Sequence, residues 1–211
     1  MVAGVAGALL LARAALADRE QIHLTAAGQK AAHAAVLTRT DVGTAPGWSY
    51  KTRKPDLSGN IGCANFNPKQ SDLVLNGAAE VEWSRAGLDL DSEAQVLQTP
   101  AMVKLDWRRT VLAAGVEACL RSLFQKQSTA AAKFVSFNRL AFPAVGTYSR
   151  AYRALIDYTE NSQTVRVSVD LVLVGTGHTE ITLTTTAPLA AGPAVKTLEV
   201  RLARALQARA F

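Results

Sequence analysis

The sequence has few of the side chains that carry out chemistry near neutral pH, since its 211 residues include only three histidines and two cysteines. It lacks the phosphate-binding loop G-x-x-x-x-G-K-[S/T], the nucleophile elbow G-x-S-x-G, the zinc-protease motif H-E-x-x-H and the calcium loop D-x-D-x-D-G. Gly175-Thr176-Gly177 begins like a dinucleotide fingerprint, but Glu180 stands where the third glycine would be. We therefore predict no catalytic residue, no metal site and no cofactor.

The three histidines are His23, His33 and His178. Of these, His178 together with Glu180 is the best candidate for acid-base catalysis, because a spacing of two residues places both side chains on one face of a strand. The alternative is a pair of polar residues at a solvated strand end. An extracytoplasmic hydrolase that uses this pair is accordingly an alternative function.

Charge gives little sign of a nucleic-acid partner. Lysine and arginine number 23 against 17 aspartates and glutamates, a net charge of +6. The densest basic group, Lys51, Arg53 and Lys54, lies beside Trp48 and Tyr50. A stacking platform for single strands usually has a larger basic groove. We therefore interpret this group as a solvated loop and predict no nucleic-acid binding.

The first 17 residues have the pattern of a secretory leader. The apolar run Val2–Ala12 is shorter than the roughly 20 residues that span a bilayer, and Ala15-Leu16-Ala17 is a small-x-small cleavage pattern before Asp18. The alternative is an alanine-rich first helix. We predict a signal peptide over 1–17, a single domain over 18–211, a secreted or cell-envelope location and no stable membrane span.

The two cysteines, Cys63 and Cys119, permit one intramolecular disulfide. Disulfides form and persist outside the cytoplasm, so the predicted leader favours this pairing. It would join a loop-like segment, Ser58–Gly62 and Cys63, to a helical run. A pair of buried free thiols is the alternative. Neither cysteine has a histidine or cysteine neighbour at metal-ligand spacing.

Residues 148–186 form three segments in which apolar and polar residues alternate with period two, which is typical of half-buried strands. The short separators Asn161-Ser162 and Gly175-Thr176-Gly177 predict antiparallel hairpins. Residues 79–96 and 131–142 predict further strands, and Thr25, Thr99-Pro100 and Pro193 mark helix starts. The order of elements predicts an α+β fold with a mostly antiparallel sheet of about six strands and helices packed on one face.

Aromatic side chains suggest a ligand site on this sheet. Tyr148, Tyr152 and Tyr158 share a strand face, with Trp83 as a possible neighbour. Buried tyrosines need partners for their hydroxyl groups, so several on one face indicate either a solvated rim or a pocket between the sheet and its helices. Ordinary core packing is the alternative.

A hairpin over 79–96 carries a row of five carboxylates on its polar face: Glu80, Glu82, Asp89, Asp91 and Glu93. Like charges side by side on paired strands are unfavourable unless something offsets them. We expect Arg153 and Arg166, which the alternation points outward, to supply that offset. A divalent cation and a glycosidase-type acid/base pair are the alternatives.

A family resemblance rests on the segment Leu37–Gly43, on Gly47-Trp48 and on the cysteines at Cys63 and Cys119, separated by a strand pair. In these features the chain resembles secreted and lipoprotein sensor-type domains of actinobacterial-type bacteria, which have a PsbP-like α+β fold. It lacks their lipobox cysteine and second disulfide. The resemblance implies a non-catalytic domain outside the cytoplasm that binds something.

Together these observations predict a non-catalytic secreted or cell-envelope binding module with a sensor-like fold. It would hold an apolar or envelope-derived ligand between sheet and helices, or a partner on the polar face of the sheet, and the sequence does not identify a protein partner. The alternatives are the hydrolase described above and a structural envelope protein without a ligand.

Overall fold

The computed structural model of the chain describes residues 18–57, 63 and 65–210. The predicted leader at 1–17 and the loop Ser58–Gly62 therefore lie outside the described residues. Within the described part, eight strands form one mixed sheet in the spatial order β1-β3-β4-β8-β7-β6-β5, with β2 also paired to β3. The strands are β1 (Gln21–Ile22), β2 (Ser49–Arg53), β3 (Val74–Arg85), β4 (Leu88–Leu97), β5 (Ala132–Arg139), β6 (Tyr148–Glu160), β7 (Gln163–Thr176) and β8 (Thr179–Pro188).

The helices come before, between and after these strands. They are α1 (Ala26–Ala34), α2 (Arg39–Val42), α3 (Pro100–Asp106), α4 (Val116–Lys126) and α5 (Gly192–Arg209). A π-helical turn, Trp107–Val111, continues α3, and a short 3-10 turn, Leu189–Ala191, precedes α5. The α+β class is confirmed, and the sheet is larger than the six strands expected.

The sheet is antiparallel wherever short turns join its strands. Asn161 and Ser162, at φ of 49° and 63°, form the two-residue turn between β6 and β7, which is the backbone geometry that favours tight hairpins. Gly87, at φ of 76°, serves the turn between β3 and β4. The exception is β1, which pairs with β3 in parallel through Gln21 opposite Val74.

Helices cover both faces of the sheet, so the prediction of helices on one face is wrong. The reason lies in the pairing of β7 with β8, where Leu183 lies opposite Val172 and Thr184 lies opposite Leu171. The apolar series of β8 therefore points away from the series of β7 that contains Leu171. We call the face that packs on α1 and α5 the core face, and the face toward α3, the π-helical turn and α4 the cavity face.

Helix α1 approaches β3 at two glycines. Thr25 caps the helix, since its Oγ1 accepts a hydrogen bond from the Gly28 amide at 3.0 Å. A Cβ on Gly28 would lie 2.2 Å from the carbonyl oxygen of Asn76, and a Cβ on Gly77 would lie 2.1 Å from the carbonyl oxygen of Gly28. Only glycine permits this backbone contact.

We expect Gly28→Ala to lower the free energy of unfolding by about 1–3 kcal/mol, because the added methyl group forces α1 away from β3. Urea unfolding followed by circular dichroism measures the change. Gly192→Ala at the start of α5 is the matched control, since its Cβ would meet nothing within 4 Å and alanine favours helix. Equal stability of the Gly28→Ala variant and the wild type would contradict the close packing.

The predicted disulfide is confirmed between Cys63 and Cys119, with a Cα–Cα distance of 5.6 Å. Cys119 lies on the buried side of α4 beside Val116, and Phe66 packs against both. The bond therefore ties the segment before β3 to the helix that covers the cavity face.

Candidate functional site

The cavity face encloses a space of about 390 Å³ between the sheet, the π-helical turn and α4. This volume lies within the range of small-molecule binding sites. The segment before β3 closes one side through Leu57, Phe66 and Pro68. Side chains from widely separated parts of the sequence thus form one concave surface.

The chemistry of the sheet changes across this cavity from strand to strand. In one row, Glu93 of β4 lies opposite Thr182 of β8, and Thr182 lies opposite Leu173 of β7. The neighbouring row has Thr184 opposite Leu171. Since paired residues share a face, the floor of the cavity runs from carboxylate through hydroxyl to aliphatic side chains.

Helix α4 covers the aliphatic end of that floor. Leu120, Leu123 and Phe124 line the cavity from above. Phe124 stacks on Phe137 with ring centroids 5.5 Å apart, and Phe137 stacks on Tyr152 at 5.4 Å. These aromatic contacts fix the position of α4 on the sheet and give the cavity an apolar roof.

The π-helical turn places Trp107 in the cavity wall. Its ring stacks on Tyr148 at a centroid distance of 5.4 Å. Gly175 provides the space, since a Cβ there would lie 2.5 Å from the indole Nε1. Single π-helical turns are often found at functional sites.

Carboxyl groups collect at the opposite end, where Glu20, Glu93, Asp106 and Glu180 line the cavity. Gln70 donates to Oδ1 of Asp106 at 3.0 Å, and the Thr110 hydroxyl donates to Oδ2 at 3.2 Å. A further hydrogen bond joins the side chains of Asp106 and Glu180. The Glu180 Oε1 atom is buried and has no hydrogen-bond partner among the described residues.

Burial raises the pKa of these carboxyl groups because it disfavours their charged form. The pKa of Glu20 rises to about 7, through burial first and then through the charges of Asp106 and Glu93. Burial and the neighbouring Asp106 raise the pKa of Glu180 well above its ordinary value. Burial thus favours the neutral form of Glu180, and since their hydrogen bond lowers the pKa of Asp106, Glu180 is the donor in it.

The five carboxylates predicted to point outward lie on the cavity face instead. Burial, then Glu80, raises the pKa of Asp91 to about 7, and Arg53 pairs with Glu82. The expected offset by two arginines of the central strands is wrong. Register sends those arginines to other partners, with Arg153 bound to Asp170 and Arg166 bound to Asp157.

The predicted aromatic site is divided between the two faces. Tyr148 and Tyr152 lie on the cavity face, where they support Trp107 and Phe137, and Tyr158 shares their face near the end of β6. Trp83 packs on the core face, where its Nε1 donates to the Leu37 carbonyl at 3.3 Å. Trp83 therefore has no part in the cavity, since alternation along one strand does not fix which face a distant strand shares.

The predicted catalytic pair does not converge. Glu180 lines the cavity, whereas His178 is exposed in the turn between β7 and β8. Sequence reasoning missed Glu20, Asp106 and Trp107, because each lies in a segment that reaches the cavity only through tertiary packing. Glu180 was visible in the sequence, but its burial was not.

Two further observations concern ions and membranes. No group of three or more histidine, cysteine or carboxylate side chains within 18–57, 63 and 65–210 has the arrangement needed to hold a metal ion. In the same part of the chain, every helix is too short or too polar to cross a bilayer.

No known protein family and no curated protein matches the sequence. The fold is similar to that of an uncharacterized protein from Mycobacterium smegmatis, at 10% identity and a TM-score of 0.44, over 84% of this chain and 96% of that one. It is also similar to LpqN, described as involved in cell envelope biogenesis of Mycobacterium tuberculosis, at 11% identity and a TM-score of 0.30, over 75% of this chain and 82% of that one. The PsbP-like fold stays a prediction.

Proposed function

We propose that this protein is a non-catalytic binding protein that acts outside the cytoplasm and holds an amphiphilic small molecule in the cavity. The observation that supports this is the order of side chains across the floor, from Glu93 through Thr182 to Leu173. An amphiphile would place its apolar chain under α4 and its polar group toward β4. Burial of the chain against aliphatic residues would supply most of the affinity.

The disulfide supports the proposed location. A bond between Cys63 and Cys119 persists in oxidising compartments and is rare in the cytoplasm. We therefore place the protein in the secreted or cell-envelope compartment. Nucleic acid is an unsuitable partner for the cavity face, because its carboxylates would repel phosphate groups.

Binding fits the cavity lining better than bond cleavage. Within the described residues, the lining contains no histidine, serine or cysteine, and its hydroxyl groups belong to Thr110, Thr182 and Thr184. A nucleophilic hydroxyl needs an adjacent base to activate it. Asp106 and Glu180 share a hydrogen bond, so they are closer than the ~5 Å between the carboxyl groups of retaining glycosidases.

A hydrolase is the second candidate, and the Asp106–Glu180 pair is the observation that favours it. Two carboxyl groups that share one proton carry out hydrolysis in aspartic proteases. Incubation of the wild type and a Glu180→Gln variant with peptide, ester and glycoside mixtures between pH 4 and 7, followed by mass spectrometry, tests this. Cleavage by the wild type but not by the variant would replace our proposal.

The binding proposal predicts that Leu171→Trp weakens binding by filling the cavity. Leu171 lies in the middle of the aliphatic floor and is half-buried. We expect the affinity for the neutral fluorescent probe N-phenyl-1-naphthylamine to fall at least about tenfold, since overlap with the new indole removes the apolar contacts. A fluorescence titration measures it.

Val165→Trp is the matched control. Val165 lies on the same strand and the same face as Leu171, but it is 51% exposed and lies outside the cavity. Equal affinities of the two tryptophan variants would contradict a site in this cavity. Native mass spectrometry of protein purified from its own host then shows whether an amphiphile accompanies the wild type and is absent from Leu171→Trp.

A further inference from the structure

The polar end of the cavity has more acidic than basic side chains. Among the described residues, four acidic side chains whose pKa is raised by burial line the cavity, and one cation, Arg19, lines it with them. The four are Glu20, Glu93, Asp106 and Glu180. Partly buried carboxylates without matching positive charge are unfavourable, so this end of the cavity is electrostatically complementary to a cation.

Other cations close to this end are already paired elsewhere. Arg109 is bound to both carboxylate oxygens of Asp72, at 2.6 and 3.1 Å, and its Nη1 also donates to the Lys69 carbonyl. Arg53 is paired with Glu82. Both guanidinium groups are thus bound to carboxylates other than Glu20 and Glu180.

Hydrogen bonding at this end is also incomplete. The Glu180 Oε1 atom is buried without a partner in the described part of the chain, while Asp106 is held in place by Gln70 and Thr110. A buried polar atom without a partner costs free energy that a bound donor would recover. An ammonium group offers three donors and a compact positive charge, which fits several converging carboxyl oxygens.

We propose that the natural ligand is a cationic amphiphile with an alkylammonium head, which rests on the binding function proposed above. The head group would lie among Glu20, Asp106 and Glu180, and the hydrocarbon chain would extend past Thr182 over Leu173. The ligand thus adds positive charge to a cavity in which Arg19 is the one cation among the described lining residues.

The pH dependence of such binding follows from the carboxyl groups that surround the head. Glu20 is half protonated near pH 7, and it faces Asp106 from α3, Glu93 from β4 and Glu180 from β8. A cation favours the ionised form, so binding releases protons and strengthens as pH rises. For one group with a pKa of about 7, affinity increases about tenfold between pH 6 and pH 8.

Isothermal titration calorimetry with three probes of one chain length tests the head group. The probes are dodecylammonium, dodecyl glucoside and dodecanoate, each below its micelle concentration. Dodecylammonium stays protonated from pH 6 to 8, as lysine does. We expect it to bind at least about tenfold more tightly than the neutral glucoside at pH 8, and to show the pH dependence given above. Calorimetry repeated in buffers of different ionisation enthalpy gives the number of protons released on binding.

Two variants separate the head-group contact from general effects. Glu20→Gln is expected to remove the pH dependence and to weaken dodecylammonium about tenfold, with dodecyl glucoside unchanged. Glu160→Gln, at an exposed hairpin end of β6, is the control and leaves all affinities unchanged. Thermal unfolding of each variant tests whether it is folded. We expect Glu20→Gln to fold, because neutralising a buried acidic group relieves repulsion.

The outcomes distinguish the two proposals. Preference for dodecylammonium that is lost in Glu20→Gln supports the cationic ligand. Equal binding of all three probes, or preference for dodecanoate or the glucoside, overturns the cationic ligand and leaves the binding function intact. No binding of any probe, together with no effect of Leu171→Trp on the naphthylamine probe, overturns both.

Discussion

Reduction of the Cys63–Cys119 disulfide is expected to lower the free energy of unfolding by about 4 kcal/mol. The two cysteines are 56 residues apart, so the disulfide keeps a long loop closed in the unfolded chain. Reduction removes this restriction and stabilises the unfolded state. On the chain-entropy treatment of cross-links, a loop of this size restricts the unfolded state by that amount. The effect is a large fraction of the 5–15 kcal/mol that stabilises a typical domain.

Urea unfolding with and without a phosphine reductant measures this difference. The double variant Cys63→Ala/Cys119→Ala is the control, because its midpoint should match the reduced wild type and should not respond to reductant. A wild-type midpoint that is the same in both conditions would contradict the predicted contribution. Alkylation with mass spectrometry verifies that oxidised protein has no reactive thiol.

The disulfide also holds part of the cavity. Phe66 packs against Cys119 and at the same time lines the cavity, together with Leu57 and Pro68 from the same segment. Because this segment is tied to α4, the wall and the roof of the site are held together by one covalent bond. The bond therefore links stability to the shape of the proposed site.

Local pattern was sufficient to predict the strands and their turns. The period-two alternation over 148–186 and the separator Asn161-Ser162 predicted the β6–β7–β8 meander that the structure contains. Thr25 and Thr99 predicted the starts of α1 and α3, and both hydroxyl groups accept the expected capping hydrogen bonds. Each of these features depends on residues a few positions apart.

The faces of the sheet could not be predicted in this way. Alternation assigns Leu171 to an apolar series of β7 and Thr182 to the polar series of β8, but register alone decides which of these series share a face. In the structure, Leu173 faces the cavity and Leu183 packs on the core face, so apolar residues of the two strands are buried on opposite sides. This divergence requires helices on both faces and also creates the cavity.

The acidic end of the site was hidden for a related reason. Glu20, Asp106 and Glu180 come from the segment before β1, from α3 and from β8, and only the folded chain brings them together. No spacing in the sequence connects them. Their burial, not their identity, raises their pKa values and makes them candidates for ligand recognition.

A second group of buried charges lies on the core face under α5. The Asp170 side chain is fully buried, and Arg153 binds it with two hydrogen bonds, one of them 2.6 Å long from Nε to Oδ1. Glu199 of α5 is also fully buried, and burial followed by the charge of Asp170 raises its pKa to about 8. Arg153 is thus the positive charge that offsets two acidic groups.

The pH dependence of stability follows from Glu199. Its pKa is higher in the folded state than the ordinary 4.5, so the folded protein keeps a proton that the unfolded chain releases. The contribution is fully present below about pH 4.5 and is lost as pH rises through about 8. Glu20 and Asp91, each with a pKa of about 7, act in the same direction.

Arg153→Met is expected to lower the free energy of unfolding at pH 7 by about 3 kcal/mol, because it leaves the buried Asp170 carboxylate without its partner. The value lies at the lower end for broken buried ion pairs, since 22% of the arginine side chain is exposed. Arg166→Met, which breaks the more exposed pair with Asp157 on the same strands, should change stability little. Urea unfolding of both variants measures the contrast.

A double-mutant cycle completes this test. If Arg153 acts by neutralising Asp170, then Arg153→Met should cost much less in an Asp170→Asn background, and the coupling between the two positions should approach the full effect. In the wild type, Glu199→Gln should flatten the fall in stability between pH 5 and pH 8, because glutamine has no proton to retain. A cost of Arg153→Met that is the same in both backgrounds would mean that the arginine stabilises the fold through packing of its aliphatic stem, and the charge cluster under α5 would then carry no electrostatic role.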